Sequence, residues 1–105
     1  MTEKMKIIDF LRENQLDAIF VQKDENCRYL SKFTGSDSYL LLTKEKLYLL
    51  TDSRYTEQAR KEAADYTVVD YKGHLAEIVA KLAGEYHIKT MGVETAFFSL
   101  TYRIL

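Results

Sequence analysis

The stretch Tyr39 to Ala59, "YLLLTKEKLYLLTDSRYTEQA", decides how the rest of the chain is read. Tyr39 to Thr43 and Leu47 to Thr51 are apolar runs too short for helices. The polar Lys44-Glu45-Lys46 between them makes a β-hairpin, without the Gly or Asn that would name its turn. Beyond Thr51 the period changes. Tyr55, Ala59 and Ala63 recur every four residues, and Glu57 precedes Lys61 by four, which predicts a helix of about ten residues. Asp52 or Ser53 stands where a helix N-cap belongs, and Tyr55 is the first residue of the helix's buried face. Arg54 is explained by neither role, because a guanidinium sits at the wrong end of the helix dipole.

Outward from this stretch, Ile7, Ile8 and Leu11 predict an amphipathic helix over residues 3–14, with Thr2 as its cap. "DAIFVQ" (Asp17 to Gln22) reads as a buried strand, and residues 23–38 as an irregular segment. "YTVVDY" (Tyr66 to Tyr71) is a further strand. Leu75, Ile78, Val79, Leu82 and Tyr86 then line one face of a helix, whose last turn Gly84 weakens. "KTMGVE" (Lys89 to Glu94) is the last strand, and Ser99 caps the start of another helical pattern. Strands alternating with helices imply a parallel portion of sheet, and the hairpin an antiparallel one. The expectation is a single α/β domain over 1–105, with a mixed sheet of about five strands. Its end inside a helical pattern suggests a piece of something longer.

Lysine and arginine number 15 against 16 acidic residues, a net charge of −1, so nothing electrostatic argues for nucleic acid or an anionic membrane. The N-terminus lacks the pattern of a signal peptide, and no apolar run approaches the ~20 residues that span a bilayer. Cys27, the only cysteine, excludes an internal disulfide, suits a reducing cytoplasm and reads as a small buried side chain.

His74 and His87 lie at opposite ends of one predicted helix, about 20 Å apart, and cannot share an ion. The carboxylates Asp24, Glu25, Asp37 and Asp52 come from different predicted loops. "FTGSDS" (Phe33 to Ser38) lacks the spacing of a phosphate loop and reads as a turn, in which Gly35 supplies a left-handed conformation and the hydroxyls satisfy backbone groups. For Arg54 two roles stand open: a structural ion pair, with Asp52 as partner, or a group that reads a carboxylate or a partner protein.

"NCRYLSKFTGS" (Asn26 to Ser36), Tyr39 to Ala59 and "MGVE" (Met91 to Glu94), in this order, resemble the N-terminal domain of the Xaa-Pro aminopeptidase, prolidase and creatinase family of metallopeptidases. The resemblance implies a three-layer α/β/α fold with a ribonuclease-H-like motif. It implies no catalytic residue and no cofactor in this chain. Peptidase chemistry would belong to a linked C-terminal "pita-bread" domain holding two divalent metals (Mn, Co or Zn). It implies a homodimer acting on proline-containing peptides, with this domain helping to build the dimer and to wall the cleft; the compartment expected from Cys27 is cytoplasmic. Arg54 and Tyr55 match the family's Asp-x-Arg-Tyr motif, and Asn26 and Tyr29 match the preceding loop motif, so these four are the candidate cleft residues. Lys32 departs from the pattern, which commonly has glycine there. The alternative is a free-standing interaction or regulatory module that shares the fold.

Overall fold

The computed structural model describes residues 3–93. The helical pattern opened by Ser99 and the Thr2 cap lie outside these residues. Five strands, β1 (Ala18–Val21), β2 (Tyr39–Thr43), β3 (Leu47–Thr51), β4 (Thr67–Asp70) and β5 (Met91–Val93), form one sheet in the order β4-β3-β2-β1-β5. The central pairs β1·β2 and β2·β3 are antiparallel, and the outer pairs β3·β4 and β1·β5 are parallel. The expected mixed sheet is thus observed.

Both faces of the central strands are apolar, and both are covered. Leu40 and Leu42 of β2, Leu47 and Leu49 of β3, and Ile19 and Val21 of β1 pack in one cluster with Ile7, Leu11, Cys27, Leu30 and Ala59. These come from α1 (Glu3–Glu13), α2 (Asp24–Ser31) and α3 (Thr56–Glu62). Ala18, Leu41, Tyr48 and Leu50 point the other way, against Leu75, Ile78, Val79 and Leu82 of α4 (Leu75–Glu85). Alternation along each strand therefore feeds two cores, and the result is three layers. The opposite placement of α3 and α4 follows from handedness. The chain steps outward from β3 to β4 and then back across the whole sheet to β5, so right-handed crossovers put the two helices on opposite faces.

The hairpin ends where its sequence predicts, and its turn is held by a side chain rather than by a special backbone residue. Thr43 Oγ1 donates to the Lys46 carbonyl at 2.7 Å and accepts from the amides of Glu45 and Lys46 at 3.2 and 2.8 Å. Beside that turn, with Lys44 Nζ 4.0 Å from its Oδ1, Asp17 accepts through Oδ2 from the amides of Lys89 and Thr90, at 2.9 and 3.1 Å, which fixes the entry into β5 beside β1.

The segment read as irregular contains a helix. In α2 the acidic Asp24 and Glu25 lie in the first turn, where the dipole favours them, and Cys27, Leu30 and Ser31 form a buried i, i+3, i+4 stripe. Asn26 and Tyr29 accordingly stand on a helix, not on a loop. The helix ends at Lys32, in the left-handed region (φ 69°), whose amide donates to the Arg28 carbonyl at 2.9 Å. Glycine is the favoured residue at such an end, so lysine holds a conformation that costs it about 1 kcal/mol. Lys32→Gly is expected to stabilise the chain by about 0.5–1 kcal/mol in urea titrations. A loss of stability would contradict this account of the helix end.

Candidate functional site

β1, β3, β4 and β5 all end, and β2 begins, at the same edge of the sheet. In open α/β sheets ligands bind outside the carboxyl ends of the strands, so the loops gathered there are the first place to look for a site. The hairpin register, Tyr39 opposite Leu50 and Leu40 opposite Leu49, runs on at the same pairing to set Asp37 opposite Asp52. Two like charges facing each other across a hairpin mouth repel. Arg54 lies between them: its Nε donates to Asp52 Oδ1 at 3.1 Å, and its Nη2 is 3.5 Å from Asp37 Oδ2. Of the four carboxylates placed on different predicted loops, Asp37 and Asp52 therefore converge, while Asp24 and Glu25 stand on α2.

Asp52 is also the cap. Its Oδ1 accepts from the Arg54 amide at 2.9 Å and opens a 3₁₀ turn, Ser53–Tyr55, that leads into α3. The helix is shorter than the expected ten residues because this tighter turn takes up its start, and Ala63 leaves helical geometry at its end. The bonds from Arg54 hold the Asp52 carboxyl below its ordinary value, and Asp52 in turn holds the Arg54 guanidinium above its own. The Arg54 side chain remains 66% exposed, so these pairs orient the group far more than they stabilise the fold.

Tyr55 is half-buried rather than fully buried. Its ring meets Phe33 edge-on at 6.1 Å and carries the Arg54 guanidinium 5.2 Å above its centroid. On the other face of the sheet Phe20, Tyr39 and Tyr71 form a half-buried aromatic row, stacked at 5.9 Å and then edge-on at 6.0 Å. The Tyr71 hydroxyl donates to the Asp37 carbonyl at 3.1 Å, and burial raises its phenol above the ordinary value. Asp37 and Tyr71 thus belong to the Arg54 group, which neither the apolar pattern nor the Asp-x-Arg-Tyr motif indicates. Counting the hairpin pairing two steps past Tyr39 was the available signal for Asp37.

Asn26 and Tyr29 are not among the ion-pair and ring partners of Arg54. Tyr29 is exposed on α2, with Lys32 Nζ 5.3 Å from its ring centroid. Cys27 is buried, and its thiol faces the carbonyls of Val21 and Ser38. Gly35 is not in the left-handed region; Asp37 is (φ 55°). What Gly35 provides is space, since a Cβ there would lie 2.3 Å from Phe33 Cζ. Thr34 does not serve the local backbone either. Its amide and hydroxyl donate to Glu62 Oε1 at 2.8 and 2.9 Å, tying the loop to the end of α3.

With this geometry in place, the chain is seen as an α/β domain with an oriented guanidinium at the carboxyl edge of its sheet. It matches the family described as the Creatinase/Prolidase N-terminal domain over residues 5–104, and it belongs to that family. It is 31% identical over 87 residues to the uncharacterized peptidase YqhT of Bacillus subtilis, covering 83% of this chain and 24% of that protein. It superposes on the Xaa-Pro dipeptidase from Bacillus anthracis with a TM-score of 0.78 and 32% identity, over 93% of this chain and 29% of the other. The N-terminal domain of the cytoplasmic peptidase PepQ from Mycobacterium tuberculosis gives a TM-score of 0.78 and 30% identity, over 94% and 77%. The chain spans about a quarter of the length of curated relatives such as YqhT.

Two predictions follow from these contacts. Gly35→Ala is expected to cost about 1–3 kcal/mol, because the Phe33 ring must leave a fully buried site; an unchanged denaturation midpoint would contradict the packing. The second concerns acid. Asp17, Asp52 and Glu62 all have folded-state values held below their ordinary 3.8, 3.8 and 4.5, in each case chiefly by backbone amides. Their contribution is complete above those ordinary values and is lost as pH falls through the lowered ones. Denaturation between pH 2 and 6 should therefore show stability falling below about pH 4.5, and Glu62→Gln should reduce that slope. An unchanged slope in Glu62→Gln would contradict the assignment.

Proposed function

We propose that this chain is the non-catalytic N-terminal domain of a proline-specific metallopeptidase, an Xaa-Pro aminopeptidase or dipeptidase, and that it walls the substrate cleft and contributes to a homodimer. The observation that carries the reading is a family match over nearly the whole chain, together with a guanidinium oriented by two carboxylates at the edge where α/β domains receive ligands. The chain's similarity to an Xaa-Pro dipeptidase and to a cytoplasmic peptidase supports this substrate class and compartment. The lone buried thiol supports the same compartment, and among the described residues no helix is long and apolar enough to cross a membrane.

Among the described residues no three His, Cys, Asp or Glu side chains converge as a group able to hold a metal. In this reading the divalent metals implied by the family resemblance, Mn, Co or Zn, are assigned to a covalently linked C-terminal domain. Arg54 and Tyr55 are the cleft-facing pair in this reading, with Asn26 and Tyr29 further along the same wall.

The purified chain supplied with manganese should leave Xaa-Pro peptides uncut by mass spectrometry; turnover that co-purifies with it would overturn the assignment. In the peptidase that carries this domain, Arg54→Lys keeps a positive charge between Asp37 and Asp52 but loses the planar fork. It is expected to lower kcat/KM about tenfold at an unchanged Tm. A lowered Tm with unchanged kinetics would return Arg54 to a purely structural role.

A further inference from the structure

Arg54 has five N–H donors, and its neighbours decide which of them a ligand can use. Nε is taken by Asp52 and Nη2 faces Asp37, which occupies the Nε/Nη2 side of the fork and leaves its Nη1/Nη2 end for a ligand. Geometry alone would let that end hold a carboxylate or a carbonyl, so the surrounding charge decides between them. The charges bearing most strongly on Arg54 are these two carboxylates, and the same trio bears on Tyr71. One positive and two negative charges leave the cluster at −1. An incoming carboxylate meets net repulsion there, whereas a neutral carbonyl can accept the free N–H groups without it.

Asp37 is held firmly enough to impose this. Its backbone is left-handed, its carbonyl accepts from the Tyr71 hydroxyl at 3.1 Å, and the Tyr71 amide donates to the Thr51 carbonyl at 3.1 Å, next to Asp52 in the chain. The carboxylate thus belongs to a braced corner rather than to a free loop.

We propose that Asp37 and Asp52 tune Arg54 to take a neutral peptide carbonyl in preference to a free C-terminal carboxylate, so that this edge favours substrates that continue past the proline over dipeptides. The inference deepens the cleft-wall reading of Arg54 and rests on it. Asp37 and Asp52 are positioning residues here; Arg54 makes the contact.

The test uses the peptidase that carries this domain and a matched pair of substrates, an Xaa-Pro dipeptide and its C-terminal amide, which differ in charge but not in the bond cut. Asn tolerates the left-handed region and caps helices well, so Asp37→Asn and Asp52→Asn preserve both local structures. The double variant should shift the ratio of kcat/KM for acid over amide about three- to fivefold toward the acid at low salt, and the shift should shrink at high salt. A merely structural role would move both substrates together. If Arg54→Lys slows both substrates while the double variant leaves their ratio unmoved, the tuning is overturned and the cleft wall stands. If Arg54→Lys changes neither, or the parent cleaves no Xaa-Pro peptide, the cleft-wall reading fails and the tuning with it.

Discussion

The arrangement depends on the pairing of β2 with β3. Leu40, Leu42, Leu47 and Leu49 serve one core and Leu41, Tyr48 and Leu50 the other, so the hairpin is buried on both faces. A strand with one polar face has its register fixed by polarity, because a slip of one residue would bury the wrong side. Here a slip would mostly exchange leucine for leucine, Tyr48 being the exception, with its hydroxyl 2.6 Å from that of Tyr86 on the α4 side. The ends of the hairpin add to what holds the register. At the closed end the Thr43 hydroxyl binds three backbone groups of its own turn, and at the open end Asp37, Arg54 and Asp52 lock together.

This explains why the Arg54 guanidinium and the structural constraint coincide. A register that joins Tyr39 to Leu50 carries Asp37 to Asp52, and a helix start that uses Asp52 as cap delivers Arg54 between them. The pairs are exposed, so they add little stability. What they supply is a guanidinium with a fixed orientation and a reduced effective charge. The braces behind it, from Tyr71 to Asp37 and from Tyr55 to Phe33, are made by residues half-buried in the two cores. Packing on both faces of the sheet is thereby converted into the geometry of one polar edge.

Much of this was legible in the residues. The hairpin strands end where the apolar runs end, and α1, α4, β1, β4 and β5 lie where periodicity predicts them, within a residue or two. The misses have physical causes. The stripe of α2 is Cys27, Leu30 and Ser31 in an eight-residue helix, too short and too weakly apolar for periodicity to stand out. Turn chemistry makes Gly35 a source of left-handed backbone, but its role is to leave room for a ring that packs back onto its own loop, a tertiary fact with no local signature. The left-handed positions nearby fall on Lys32 and Asp37 instead. Arg54 and its Asp52 partner were visible as neighbours in sequence. Asp37 joins them only when the strand pairing is counted beyond its last apolar residue.

Native-state amide hydrogen exchange tests the central claim most directly. If the hairpin is the unit on which the two cores and the Arg54 edge depend, the paired amides of Tyr39–Thr43 and Leu47–Thr51 should exchange only by global unfolding, with the highest protection among residues 3–93. Hairpin amides that open more readily than those of α4 would show that the sheet is held from elsewhere, and would contradict the account.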